Sequence, residues 1–228
     1  DDREVLFFND FAAIFEMDKE EPFDFPITVE NEAEDVDFSV QIIRGYLEKL
    51  NIYKAVGPDN LHPKVLKEAA EQIALPVYLI CRKSMDSGRL PLLWKTANII
   101  PLFKKGKRIM AANYRPVSLT SQLCKLFEKI IRDRIERHLT ENEVLDTAQH
   151  GFRKGRSCLT NLLETLDDWT TAYDQRIPTD VFYLDFQKAF DSVPHVRLAY
   201  KLEKSGIRGK LLQCGEQMWG VVGSSGFE

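Results

Sequence analysis

A short apolar and aromatic segment that contains one acid constrains the fold of this chain more than any other feature. Residues 179–186, TDVFYLDF, have the composition of a buried β-strand. A charge without a partner in an apolar setting is costly. We therefore expect Asp185 to lie at the end of this strand, where the edge of a sheet is open to solvent.

A carboxylate at such an edge has two interpretations. One is two-metal phosphoryl transfer, in which acidic side chains hold two cations roughly 3.5–4 Å apart, and Mg²⁺ prefers carboxylate oxygens. The other is structural, with Asp185 capping the following helix or pairing with a neighbouring lysine. The position of Asp185 in the sequence is compatible with both.

Helical periodicity precedes this strand. Apolar residues spaced three and four apart predict helices over residues 1–16, 37–50, 63–88, 121–135 and 157–174. Pro76 should kink or split the third of these, and Gly88 should end it. Residues 19–37, KEEPFDFPITVENEAEDVD, are acidic, contain two prolines and have no clear period, so they predict a linker.

Two further segments predict a β-hairpin. Residues 96–105 and 113–120 have strand-like composition, and the basic turn KKGKR at 104–108 joins them. Pro101 implies an edge strand or a bulge, because proline cannot donate a hydrogen bond to a neighbouring strand.

The formal net charge of −4 conceals a strong asymmetry along the chain. Residues 1–53 hold 4 basic and 15 acidic side chains, whereas residues 82–137 hold 14 basic and 4 acidic ones. Basic segments bind phosphates. The alternative is that these lysines and arginines only solvate helix faces, and composition alone favours it.

The cysteines indicate the compartment. Four of them are widely spaced, without a CxxC pair, which predicts reduced core thiols rather than disulfides or metal ligands. We therefore expect a cytoplasmic or nuclear location. No stretch of the sequence reaches the roughly 18 apolar residues of a membrane span.

Five blocks of sequence, taken in order, resemble the reverse transcriptases of non-LTR retrotransposons of the LINE or jockey type. They are AVGPDNLHPKVLK, LPLLWKTANIIPLFKKG, NYRPVSLTSQLCKLFEKII, QHGFRKGRSCLTNLL and YLDFQKAFDSVPH, and the resemblance covers residues 36–212. It implies an α+β fold that comprises the fingers and partial palm of a right-hand polymerase, preceded by a helical N-terminal segment. We expect the division to be an acidic helical segment and linker over residues 1–53 and a partial reverse transcriptase domain over residues 54–228.

The resemblance also implies a nucleotide site. Asp185 would ligate the catalytic Mg²⁺ ions, with the backbone carbonyl of Phe186 as a further ligand. The expected nucleotide-binding residues are Lys104, Lys105, Arg115 and Phe190. Lysines and arginines would hold the triphosphate, and an aromatic ring at Phe190 would leave no room for a 2′-hydroxyl. Without the resemblance, the lysines form a solvated turn and Phe190 is a core aromatic.

A second basic block, GFRKGR, would lie beside template and primer in the family. The residues expected to contact nucleic acid there are Gly151, Arg153, Lys154 and Arg156. The alternative is a simple basic turn.

The sequence departs from the family pattern in its last part. The family completes its metal site with a paired-aspartate motif on a later palm hairpin, and no Asp-Asp pair follows Asp168 here. We expect a truncated copy that is inactive alone, derived from an RNA-directed DNA polymerase that uses Mg²⁺, an RNA template, a DNA primer and deoxynucleotides. The alternatives are a non-catalytic nucleic-acid-binding remnant and an intron-maturase-like protein.

Overall fold

The computed structural model describes residues 25, 28–33, 35–36, 38–110, 113–186 and 193–223. Its helices are α1 (Val40–Glu48), α2 (Pro63–Glu68), α3 (Ala70–Ser87), α4 (Gln122–Glu141), α5 (Cys158–Asp174), α6 (His195–Lys204) and α7 (Gly209–Gly223). A 3₁₀ turn covers Leu92–Trp94, and the strands are β1 (Asn98–Phe103) and β2 (Tyr114–Leu119). This mixture of helices and a small sheet agrees with the predicted α+β class. No helix in the described part of the chain has the length and apolar content to cross a bilayer.

A buried apolar cluster joins helices α1, α3, α4 and α7. Phe127 of α4 is fully buried at its centre. The Phe127 ring stacks on Phe38 at 5.6 Å between centroids and lies 5.4 Å from the ring of Trp94. Burial of a large apolar side chain stabilises the fold by about 1.5–3 kcal/mol, so these rings hold the segments before α1 and β1 against α4.

The N-terminal acidic stretch is part of this packed body in the residues that are described. Val36 is 3% exposed, the Val29 amide donates to Lys204 O at 2.8 Å, and the Ala33 amide donates to Gly206 O at 2.9 Å. The prediction of a linker over residues 19–37 is therefore wrong for this part. The acidic composition of the stretch suggested an exposed linker, but its few apolar residues are buried. Its backbone amides also bond to the turn after α6.

The helix predicted over residues 63–88 is divided at a different position from the expected one. The break is at Ala69, which separates α2 from α3, whereas Pro76 lies inside α3. Proline has no N–H, so the carbonyl of Gln72, four residues earlier, lacks an intrahelical donor. Gln72 and Pro76 are both exposed, so water can bind that carbonyl. Gly88 ends α3 as predicted, with φ +63°, and its amide donates to the carbonyls of Ser84 and Met85.

The predicted hairpin is confirmed. β1 and β2 pair antiparallel, with Asn98 opposite Leu119 and Phe103 opposite Tyr114. Pro101 lies opposite Pro116 in this register, which places together two residues that cannot donate a ladder hydrogen bond.

The predicted strand at residues 179–186 is wrong. The segment has no regular secondary structure, and Phe182, Tyr183 and Leu184 are each more than 80% exposed. A strand needs a neighbour for its backbone hydrogen bonds, and within the described ranges β1 and β2 form the sheet and pair with each other. Residue composition identified a segment suited to a sheet but could not supply the partner strand.

Candidate nucleic-acid interface

The basic turn between β1 and β2 has a defined backbone. The Lys104 amide donates to Asn113 O at 2.8 Å, and Asn113 Nδ2 donates to Lys107 O at 2.8 Å. Gly106 has φ +89°, a conformation that L side chains rarely adopt. The Arg108 guanidinium lies 5.3 Å from the centroid of the Phe103 ring. These contacts fix the turn that carries the basic side chains, all of which are exposed.

The hairpin brings two of the predicted nucleotide-binding residues to the end that carries the turn. Arg115 lies opposite Leu102, and Lys104 is the first residue after β1, where its amide donates to Asn113 O. Ile100 and Val117 lie on the same face as Leu102 and Arg115, and they are 49% and 36% exposed. Lys105 lies in the turn as well. The hairpin therefore combines an exposed apolar face with cations at its turn.

A second basic element, the basic loop of residues 150–157, forms the last part of the connection between α4 and α5. Arg153 Nη1 donates to the carbonyl of Asp146 at 2.7 Å, and the Arg156 amide donates to Arg153 O at 3.3 Å. Gly155 has φ +77°. Lys154 is exposed. At Gly151 an added Cβ would meet no atom within 4 Å, so the backbone there is open to an approaching chain.

The start of α5 closes this loop. Ser157 and Thr160 form a capping box, in which the Thr160 amide donates to Ser157 Oγ and the Ser157 amide donates to Thr160 Oγ1. Such caps satisfy backbone donors that have no partner within the helix. The predicted start of this helix at residue 157 is confirmed within one residue.

A cluster that sequence reasoning missed lies between the basic loop and α5. His150 is 7% exposed, and its Nδ1 and Nε2 lie 2.8 Å from Thr160 Oγ1 and 2.9 Å from Glu164 Oε2. Arg156 Nη1 donates to Glu164 Oε1 at 2.6 Å. The hydrogen bond from His150, with the nearby charge of Arg156, holds the pKa of Glu164 below its usual value. No spacing rule connects these residues, because their contact depends on how the loop folds back onto the helix.

The predicted metal site is not assembled by the residues that the structure describes. Asp185 and Phe186 are exposed in the irregular segment 181–186. Phe190 lies outside the described residues. Across the described positions, no three His, Cys, Asp or Glu side chains are grouped closely enough to hold a metal ion. The described side chains therefore do not provide the ligands that two magnesium ions need.

Comparison with known proteins identifies the family. The family model for reverse transcriptase (RNA-dependent DNA polymerase) matches residues 103–223, just over half of the chain. The probable RNA-directed DNA polymerase from transposon BS of Drosophila melanogaster is 32% identical over 159 residues, which are 69% of this chain and 18% of that protein.

Two further relatives are similar to this chain. The RNA-directed DNA polymerase from mobile element jockey of Drosophila funebris is 31% identical over 185 residues, which are 79% of this chain and 20% of that protein. The retrovirus-related Pol polyprotein from type-1 retrotransposable element R2 of Popillia japonica is 31% identical over 121 residues, 53% of this chain and 16% of that protein. The chain thus spans a fifth or less of the length of these relatives. By the family match and these similarities, the chain belongs to the reverse transcriptase family, and its relatives are RNA-directed DNA polymerases of non-LTR retrotransposons.

Proposed function

We propose that this chain is the fingers and the first part of the palm of an RNA-directed DNA polymerase, and that it binds template and primer through the hairpin and the basic loop. The observation that carries the proposal is an exposed hairpin with Arg115 next to the turn in β2 and Lys104 at the first position of the turn. Two cations on a turn with a defined backbone can contact neighbouring phosphates. An arginine adds paired N–H donors that a lysine lacks.

The nucleotide end of this site is assigned to the hairpin. Lys104, Lys105 and Arg115 would hold the triphosphate of an incoming deoxynucleotide, and Phe190 would lie under its sugar. Exposed apolar side chains at Ile100 and Val117 offer a surface on which a base can pack. The turn between β1 and β2 has a defined backbone, which suits a role in positioning phosphates.

The nucleic-acid end is assigned to the basic loop. Gly151 leaves room for a sugar-phosphate backbone, Arg153 is fixed through its bond to the Asp146 carbonyl, and Lys154 is exposed. Arg156, the fourth residue expected here, is engaged with Glu164 and has a separate role that is argued below.

We also propose that the isolated chain does not catalyse nucleotide incorporation. Asp185 and the Phe186 carbonyl are the residues assigned to Mg²⁺, and one carboxylate is too few to hold two magnesium ions in catalytic geometry. When bound, those ions would stabilise the charge that develops on the transferred phosphoryl group. In a cytoplasmic or nuclear location, the chain would act as a nucleic-acid-binding part of the polymerase. The second candidate, a non-catalytic binding remnant, shares these contacts and is favoured by the lack of a grouped metal-ligand set among the described residues.

Binding to duplex DNA and to an RNA–DNA hybrid, followed by fluorescence anisotropy in rising salt, tests this proposal. We expect binding at low salt that weakens steeply as salt increases. The Lys104→Ala variant should lower the slope of log K against log salt by about 0.9 on duplex DNA, because one phosphate contact is lost. The matched control is Lys64→Ala, which removes an exposed lysine of α2 and should leave the slope unchanged.

The result is decisive in either direction. Undetectable binding at low salt, or binding that does not depend on salt, would contradict the proposal. Equal losses of slope in Lys104→Ala and Lys64→Ala would show that net charge, rather than the hairpin, governs binding.

A further inference from the structure

We infer that His150, Glu164 and Arg156 form a network that positions the basic loop on α5, and that Arg156 acts as a positioning residue rather than as a phosphate ligand. The inference rests on the proposed function, because the loop is positioned for contact with nucleic acid. It assigns the phosphate contacts of the loop to Arg153 and Lys154.

The network connects the basic loop to α5. Glu164 lies on the second turn of α5, and its two carboxylate oxygens accept separate bonds. Oε2 lies 2.9 Å from His150 Nε2, and Oε1 accepts from Arg156 Nη1 at 2.6 Å. His150 and Arg156 stand at the two ends of the basic loop. One carboxylate on the helix therefore holds both ends of the loop.

His150 has a partner on each ring nitrogen. With its proton on Nε2, the neutral ring donates to Glu164, and Nδ1 accepts from the Thr160 hydroxyl at 2.8 Å. Because both ring nitrogens have a partner on α5, this side chain suits a structural role between loop and helix.

The charge of Arg156 is already compensated. Its side chain is 30% exposed and pairs with Glu164, and its Nη1 also lies 3.3 Å from His150 Nε2. A phosphate contact by Arg156 would have to break this ion pair. Lys154 is exposed. Arg153 donates to the Asp146 backbone carbonyl, which is neutral and does not offset the charge of the guanidinium. Phosphates are therefore expected to meet Arg153 and Lys154 first.

The role of a phosphate ligand and that of a positioning residue have different signatures in a salt titration. Removal of a phosphate ligand lowers affinity and reduces the slope of log K against log salt by about 0.9 on duplex DNA. Removal of a positioning residue lowers affinity and leaves the slope unchanged, because the number of neutralised phosphates stays the same.

The experiment compares Lys154→Ala, Arg156→Ala, Arg156→Lys and His150→Ala with the wild-type chain on duplex DNA. Lys154→Ala should reduce the slope by about 0.9. Arg156→Ala and His150→Ala should weaken binding roughly three- to tenfold with an unchanged slope, the effect of one or two lost hydrogen bonds. Arg156→Lys retains an ion pair with Glu164 and should recover most of the affinity.

Amide hydrogen exchange of the free protein supplies a readout that does not depend on nucleic acid. The Arg156 and Ser157 amides are hydrogen-bonded within the loop and its cap, so they should exchange faster in His150→Ala than in the wild type. Amides of α4 should be unaffected, since His150 lies outside the apolar core. This result supports the network even if the wild-type chain fails to bind, an outcome that would contradict the proposed function alone.

Two results would overturn the inference. One is a slope that falls as much in Arg156→Ala as in Lys154→Ala, which would make Arg156 a phosphate ligand. The other is unchanged exchange of the loop amides in His150→Ala, which would show that the network does not hold the loop.

Discussion

At the scale of single residues, Lys104 and Arg115 lie at the turn end of an exposed hairpin, and their assignment to the nucleotide stays a prediction. The surroundings of Asp185 were predicted as a buried strand and are exposed. The His150–Glu164 contact was missed, because it depends on how a loop folds against a helix fourteen residues along the chain.

The cysteines allow a prediction at the same scale. Cys81 and Cys124 are fully buried, whereas Cys158 is exposed, so the expectation of four core thiols is wrong at Cys158. Burial raises the pKa of Cys81 to about 12, and burial together with the nearby Glu128 carboxylate raises that of Cys124. The thiolate is the reactive form. Both buried thiols should therefore remain protonated and unreactive near pH 8.

Alkylation of the folded chain with iodoacetamide near pH 8, followed by peptide mapping, checks this. Cys158 should be labelled first, and Cys81 and Cys124 should react only after denaturant is added. Labelling of Cys81 as fast as Cys158 in the native chain would contradict the buried core around α3 and α4.

At the scale of elements, apolar periodicity predicted the features that depend on residues close in sequence, namely helices and the hairpin. The amphipathic helices α1 and α5 and the hairpin were located within a few residues, because apolar spacing and turn residues act over short distances. Helix α4 begins within one residue of the prediction but ends at Glu141, six residues beyond the predicted end at Ile135. The boundary between α2 and α3 was misplaced. The segment at 179–186 was wrong because pairing between strands depends on a partner distant in sequence.

The junction of the N-terminal stretch, α4 and α6 provides a prediction for an element boundary. Gly206 has φ +87°, and a Cβ there would fall against the carbonyl of Asn31 and the ring of His138. Gly206→Ala should lower the free energy of unfolding by about 1–3 kcal/mol, because both the backbone conformation and the space exclude a side chain.

Gly45 is the matched control, since it lies inside α1 with no atom within 4 Å of an added Cβ. Gly45→Ala should raise the free energy of unfolding by about 0.5–1 kcal/mol. Denaturant unfolding of both variants measures these changes. A Gly206→Ala variant as stable as the wild type would contradict the packing of residues 28–33 against this turn.

At the scale of the whole molecule, the charge asymmetry and the packing give different divisions of the chain. The acidic residues 1–53 and the basic residues 82–137 suggested separate parts. Yet Ile43 and Leu47 of α1 are fully buried in the cluster that contains Phe127, and the Tyr46 hydroxyl donates to Asp133 of α4 at 2.8 Å. The division at residue 53 stays a prediction. The acidic segment contributes residues to the core that supports α4.

The central proposal is that the isolated chain binds nucleic acid through the hairpin and the basic loop, whereas the residues that the structure describes group no metal site. Extension of a DNA primer on an RNA template, with magnesium and deoxynucleotides, tests it most directly in parallel with binding to the same primer–template. The account predicts binding by the wild-type chain without extension, and the same result for Asp185→Ala. Extension by the wild-type chain that disappears in Asp185→Ala would contradict it, because it would require further metal ligands that act with Asp185.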